Sequence, residues 1–244
     1  MNLTSLPVFE TTWFHSETSR TFVIGDIHGQ HRMLDYLLRG VRFDYELDTL
    51  ICLGDYADGR SNGVASHNLF RVISILSRIK NKILLKGNHD LWAIQYLNNN
   101  LSRDDRNWWT RNGGDITLTE FKSLTEEQNQ IVLDFYSSLI DYYETNDYIC
   151  VHAGRMMSYP MDKQSEDSLF WSREFVENCV QKDKLVADKL TIVGHTIVQS
   201  LGFQSVPTFK NNVLMMDTGA GYGIKLSITD ITDINKLRFY QISK

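Results

Sequence analysis

Cysteine and proline are scarce in this 244-residue chain, three of each, and each scarcity excludes something. Cys52, Cys150 and Cys179 are an odd set without a CxxC pair, which argues against a disulfide framework and against a thiolate zinc site. Cys52 and Cys150 read as small apolar side chains within strands. With so little proline, no low-complexity tract and no block of like charge, nothing reads as a linker. One domain over residues 1–244, with its core at about 20–232, is expected. Basic residues are not in excess: the formal charge of −5 leaves no broad cationic surface, so neither nucleic acid nor a membrane is an expected partner. No apolar run has the length of a membrane span, and MNLTSLPVFETTWFHSETS lacks the basic segment and apolar core of a secretory leader. A cytoplasmic monomer is expected. Also missing are a GxxxxGK[ST] phosphate loop, a GxSxG elbow and an HExxH helix, which removes three common catalytic templates.

What is present is 42% hydrophobic, enough for a sizeable core. Short β-rich runs occur at TFVIGD (21–26), TLICLGD (49–55), KILLKGN (82–88), YICVHAG (148–154) and TIVGHT (191–196), each reaching glycine with Asp, Asn or His. HRMLDYLLRGV and VASHNLFRVISILSRI read as amphipathic helices between the first three, with Leu69, Val72, Ile73, Leu76 and Ile79 at helical spacing. Residues 104–139 read as a helical excursion, turned by NGGD at 112–115 and restarted at SLTEEQ, where Ser123 or Thr125 can cap. VLMMDTGA, KLSITDI and LRFYQIS read as adjacent antiparallel strands, so a mixed sheet system is expected.

The strand ends carry the chemistry. Asp26 and His28 come from GDIHG, Asp55 from GDYAD, Asn88 and His89 from GNHD, His152 from VHAG and His195 from GHT. Ligands of open α/β sheets gather outside the carboxyl ends of strands, so five such strands in one sheet would bring these groups to one rim. Imidazole, carboxylate and amide oxygen without thiolate suit two divalent transition ions, manganese first, with iron or zinc as alternatives. Such a pair fits phosphate ester hydrolysis.

GDIHGQ, GDYAD, GNHD, VHAG and GHT, in this order, resemble the metal-dependent phosphoprotein phosphatase family of the metallophosphoesterases. RNGGDITL, FWSRE and DTGAGYG resemble features of its compact bacterial and phage serine/threonine members. The resemblance implies an α/β fold, a four-layer αββα sandwich of two mixed sheets flanked by helices. It implies metal ligation by Asp26 and His28 at one site, Asp55 bridging, and Asn88, His152 and His195 at the other. His89 resembles the general acid, with Asp58 orienting it; Arg173 matches a phosphate-binding arginine, Tyr222 stands where the family has an aromatic residue beside the site, and Arg60, displaced by one position, is a further candidate for binding substrate. The implied reaction is attack of a metal-bound hydroxide on a phosphomonoester, with a phosphoprotein as substrate: phosphoserine or phosphothreonine, with phosphotyrosine open.

Two departures bear on substrate. The family writes GDxVDRG where this chain has GDYADGR, exchanging Gly59 and Arg60; a loop opened by Gly59 would let Arg60 swing back to phosphate. GNHD replaces the commoner GNHE and also occurs in dinucleoside polyphosphate hydrolases, so hydrolysis of dinucleoside polyphosphates, nucleotides or nucleic-acid phosphate ends is the alternative. A non-catalytic scaffold that captures phosphorylated partners is the reading from another class. Asp90 reads as a helix N-terminal acid outside the site. Trp108 and Trp109 read as core or groove walls without a nucleic-acid role, and His15, His31 and His67 as ordinary structural residues.

Overall fold

The computed structural model describes residues 19–59, 67–182 and 184–243. Its strands are β1 (Thr21–Ile24), β2 (Thr49–Cys52), β3 (Asn81–Leu84), β4 (Tyr142–Glu144), β5 (Tyr148–Val151), β6 (Leu190–Val193), β7 (Thr208–Lys210), β8 (Val213–Met215), β9 (Lys225–Asp230) and β10 (Arg238–Ser243). The main helices are α1 (His31–Gly40), α2 (Leu69–Leu76), α3 (Asn88–Leu97), α4 (Arg103–Trp109), α5 (Asp115–Ser123), α6 (Glu126–Ser137) and α7 (Glu166–Phe170).

Two five-stranded sheets form, in the orders β10-β9-β1-β2-β3 and β4-β5-β6-β8-β7. β1, β2 and β3 pair in parallel with Ile24 opposite Cys52 and Cys52 opposite Leu84. Equal register makes the loops after them leave side by side. In the second sheet β5, β6 and β8 are parallel, with antiparallel β4 and β7 at the edges. The five motif strands are therefore divided three and two between facing sheets and do not share one sheet.

Strand period explains the layering, because successive side chains point to opposite faces. Phe22, Ile24, Leu50 and Cys52 pack with Leu34, Leu38, Val72 and Leu76 of α1 and α2. Val23, Ile51 and Leu53 face the other way, against Cys150, Ile192, Leu214 and Met216 of the second sheet. There Ile149, Val151, Val193, Val213 and Met215 turn outward onto Leu169 and Phe170 of α7 and the following turn at Phe175 and Val176. Helix, sheet, sheet and helix follow in four layers, the αββα architecture. Each fully buried Ile, Val or Leu here contributes roughly 1.5–3 kcal/mol of transfer free energy.

One topological expectation is corrected. β9 and β10 are antiparallel neighbours, but β8 lies in the other sheet. The turn between β8 and β9 is not a hairpin: Gly219 (φ 91°) and Gly223 (φ 69°) carry the chain from one sheet to the other. All three β8 residues are buried, which suits a strand covered on both faces.

The excursion between β3 and β4 is helical as expected. Thr125, not Ser123, caps α6, its hydroxyl accepting from the Gln128 N–H while the Gln128 side chain accepts from the Thr125 N–H. Ser123 is the last residue of α5. NGGD turns the chain from α4 into α5, with Gly113 at φ 101°. No helix among the described residues is long and apolar enough to cross a membrane.

Candidate active site

The loops that follow β1, β2, β3, β5 and β6 meet in a cleft of about 800 Å³ at the shared end of the two sheets. Asp26, His28, Asp55, Asn88, His89, Arg173, His195 and Tyr222 all line it. His152 lies fully buried beneath, reaching Asn88 and Asp55. Arg60 lies outside the described residues, as does His15.

Three histidines share one device. His28 donates Nδ1–H to the Ala57 carbonyl at 2.9 Å, His152 donates Nδ1–H to Leu53 at 2.8 Å, and His195 donates Nε2–H to Trp171 at 3.0 Å. Each bond selects a tautomer and leaves the other nitrogen as a lone pair turned inward. With Asp55 ionised, the inward atoms meet only acceptors. His152 Nε2 lies 3.0 Å and His195 Nδ1 3.0 Å from the same Asn88 Oδ1. Asp55 Oδ2 lies 3.5 Å from His152 Nε2 and 3.7 Å from His28 Nε2. Lone pairs converging on one another repel unless a cation sits among them, so this donor set fits metal binding. Ligand atoms within 4.8 Å of one another group as Asp55, His152 and His195 on one side and as His28, Asp55 and His89 on the other. Asp55 belongs to both groups, as a bridging carboxylate must.

Burial governs the ionisation. It drives His28 and His195 well below the ordinary imidazole range and His152 down to about 3, so these rings are neutral and ready to ligate. It pushes Asp26 well up, aided by the charges of Asp217 and Asp55, and pushes Asp55 well up, aided by Asp90. Carboxyls held from ionising by a dry site are those a divalent cation returns to the anionic form.

Backbone strain is concentrated here. His28 (φ 47°), Asp55 (φ 53°), Asp58 (φ 66°) and His195 (φ 59°) all hold left-handed conformations that side chains disfavour, so the surrounding bonds must enforce them. Asp26 stands outside the two tight groups. Both its oxygens accept from the His195 N–H at 3.1 Å, and its carboxylate fills the space a Cβ at Gly194 would take. That contact explains the glycine of GHT.

His89 is held by Asp58, whose Oδ2 lies 2.6 Å from Nδ1, so Nε2 is left for the cleft. Arg173 is exposed at the rim, immediately before a short helical turn, and Tyr222 is 48% exposed on the turn after Gly219. Gly59 is buried, and a Cβ there would run into the His67 ring, so position 59 has no room for a side chain. This accounts for the glycine preceding the arginine in GDYADGR.

Sequence reasoning passed over four residues. Asp90 opens α3 as expected, but it is fully buried and its carboxylate accepts from Asp55 N–H (2.7 Å), Tyr56 N–H (3.1 Å) and Gly87 N–H (2.9 Å). It ties the second motif loop to the third. Asp217, in DTGA, lines the cleft and is pushed up to about 6 by burial. Trp109 and Thr117 hydrogen-bond Asp58 from the excursion. No local signal distinguished Asp90 from an ordinary first-turn helix acid, and nothing local marked the other three. Trp108, 61% exposed, is a cleft wall. His67 reaches the His28 carbonyl with Nδ1 at 2.6 Å, a structural role.

Comparison with known proteins agrees with this geometry. The family model described as calcineurin-like phosphoesterase matches residues 19–228. The chain is 27% identical over 217 residues, 86% of its own length and 92% of the relative's, to serine/threonine-protein phosphatase 2 of Escherichia coli K12. It is also 27% identical over 134 residues, 55% of its own length and 41% of the relative's, to the symmetrical bis(5'-nucleosyl)-tetraphosphatase of Coxiella burnetii RSA 493. The structure of a protein serine/threonine phosphatase from Saccharomyces cerevisiae superposes with a TM-score of 0.57 at 17% identity, covering 93% of this chain and 80% of that one.

Proposed function

The chain belongs to the calcineurin-like phosphoesterase family, and from that premise we propose that it is a phosphomonoesterase acting on phosphorylated serine or threonine side chains of proteins. The observation that carries this reading is the convergence of His28, Asp55, Asn88, His152 and His195 lone pairs beside the His89–Asp58 pair in one open cleft.

In this reading Asp26, His28 and Asp55 hold one divalent cation, and Asp55, Asn88, His152 and His195 hold a second, with manganese the first choice. When bound, the ions supply Lewis acidity to the phosphoryl group and acidify the attacking water. The protein's own residues do the rest. Arg173 at the rim pairs with the phosphate oxygens. Water forms the new P–O bond while the bond to the substrate oxygen breaks, and that oxygen keeps the electron pair. His89 delivers a proton to it from Nε2, because Asp58 secures the opposite nitrogen. Alcohol and inorganic phosphate leave, and the proton lost by water restores His89 through solvent.

The similarity to a tetraphosphatase and the GNHD motif favour a second reading, a dinucleoside polyphosphate hydrolase. The rim speaks against it. Among the described lining residues outside the ligand set, Arg173 is the cationic side chain, while Asp105, Asp167 and Asp217 are acidic. A polyphosphate chain brings several negative charges to that rim, whereas a phosphopeptide brings one dianion and can offer basic neighbours. Manganese-loaded enzyme assayed side by side on phosphoserine, phosphothreonine and phosphotyrosine peptides and on a dinucleoside tetraphosphate tests the choice. Highest kcat/KM on phosphoserine or phosphothreonine is expected; a preference for the dinucleotide overturns it.

A further inference from the structure

The helical excursion between β3 and β4 wraps one carboxylate of the site. Asp58 has a fully buried side chain, and its two oxygens receive three groups. Oδ2 takes His89 Nδ1 at 2.6 Å and the Trp109 indole Nε1–H at 2.6 Å; Oδ1 takes the Thr117 hydroxyl at 2.5 Å. Thr117 Oγ1 also accepts from the Asp58 N–H at 3.1 Å, bracing the backbone at the residue whose φ is 66°. Trp109 and Thr117 are themselves buried, so neither bond competes with bulk water.

The sequence of the excursion serves this contact. Trp109 ends α4 and Thr117 lies in the first turn of α5, and NGGD folds one back on the other. The indole lies flat on Gly114, where a Cβ would overlap it, and Gly113 abuts the Gly59 backbone just beyond Asp58. Glu120, one turn after Thr117, accepts from Leu69 N–H and Phe70 N–H at the start of α2. The α4–α5 hairpin therefore holds the second motif loop at Asp58 and Gly59 and also the start of α2.

We propose that Trp109 and Thr117 are positioning residues for proton delivery: they aim the Asp58 carboxylate so that His89 presents Nε2 to the leaving oxygen. This deepens the proposed function and rests on His89 as the proton donor. An indole N–H can only donate, and a threonine hydroxyl that accepts from Asp58 N–H has its own proton free for Oδ1. Both carboxylate oxygens are thereby oriented, and Oδ2 holds the imidazole by Nδ1.

The test uses full-length, manganese-loaded protein carrying Trp109→Phe, Thr117→Val, Thr117→Ser or His89→Asn. 4-Nitrophenyl phosphate, whose leaving group needs little protonation, is compared with a phosphoserine peptide, whose alkoxide needs it. Trp109→Phe and Thr117→Val are expected to lower kcat on the phosphoserine peptide roughly tenfold or more, with at most about threefold loss on 4-nitrophenyl phosphate. KM, inhibition by inorganic phosphate and manganese content should be close to wild type, Tm should fall by several degrees because a buried hydrogen bond is lost, and Thr117→Ser should restore turnover. His89→Asn should show the same split more deeply, and adding Trp109→Phe to it should cost nothing further. Equal losses on both substrates, losses that add to His89→Asn, or no loss overturn the positioning role. Should Trp109→Phe fail to fold, Thr117→Val decides alone. If His89→Asn shows no split either, the proton-donor reading itself falls; if it splits and the others do not, only the positioning role falls.

Discussion

Asp90 shows how a single buried carboxylate can organise a site without facing its substrate. Its oxygens gather the N–H groups of Asp55, Tyr56 and Gly87, fixing the bend at which Asp55 turns into the cleft. Burial pushes its carboxyl up to about 7, against the opposing pull of those three bonds. Asp90→Ala would strand three buried donors, each costing about 1–3 kcal/mol when unsatisfied. A loss on the order of 3 kcal/mol in urea denaturation is expected, together with weaker manganese binding, because Asp55 loses its backbone anchor. Unchanged stability would mean that water replaces the carboxylate. At this scale the sequence was legible for the ligand set, since six residues of metal-binding types, aspartate, histidine and asparagine, stand at glycine-flanked strand ends. It was not legible for Asp90, since an acid in the first turn of a helix is favoured by the dipole whether or not it also holds a neighbouring loop.

At the scale of elements, the second motif loop and the α4–α5 hairpin form one packed unit. Gly59 sits against His67, and Gly113 closes on Gly59 from the other side. Gly59→Ala should cost about 2 kcal/mol by overpacking, and most of that penalty should vanish in a His67→Ala background, measured as a coupling of about 1 kcal/mol or more in a double-mutant cycle. Additive costs would place the strain elsewhere. α1, α2 and the start of α6, narrowed to a cap at Ser123 or Thr125, followed from helical periodicity and capping chemistry, which are local signals. β8 was misassigned to an antiparallel meander because a glycine-rich turn reads alike whether it reverses a strand or carries the chain across to another sheet.

For the whole molecule, the division of five motif strands between two sheets is what closes the site. β1, β2 and β3 bring Asp26, His28, Asp55, Asn88 and His89; β5 and β6 bring His152 and His195 from the facing sheet. The same sandwich buries Cys52, Cys150 and Cys179, and burial raises all three thiols above their ordinary range. A raised thiol pKa means less thiolate, the reactive form, at any pH below it. An aromatic disulfide reagent at pH 8 should therefore titrate no cysteine rapidly in the native protein and three in denaturant; a fast native reaction would reveal that a core layer opens, the helix-covered face at Cys52, the sheet interface at Cys150 or the outer layer at Cys179. Residue chemistry and period by themselves determined the strands that end in ligands, the amphipathic helices and the kind of reaction, because those are properties of neighbours along the chain. Only the tertiary structure decided which ring nitrogen of each histidine faces inward, why position 59 is glycine, and that Trp109 and Thr117 hold Asp58. Those depend on groups separated by up to 99 residues meeting in a dry interior, where each hydrogen bond must be satisfied by whatever the fold brings near.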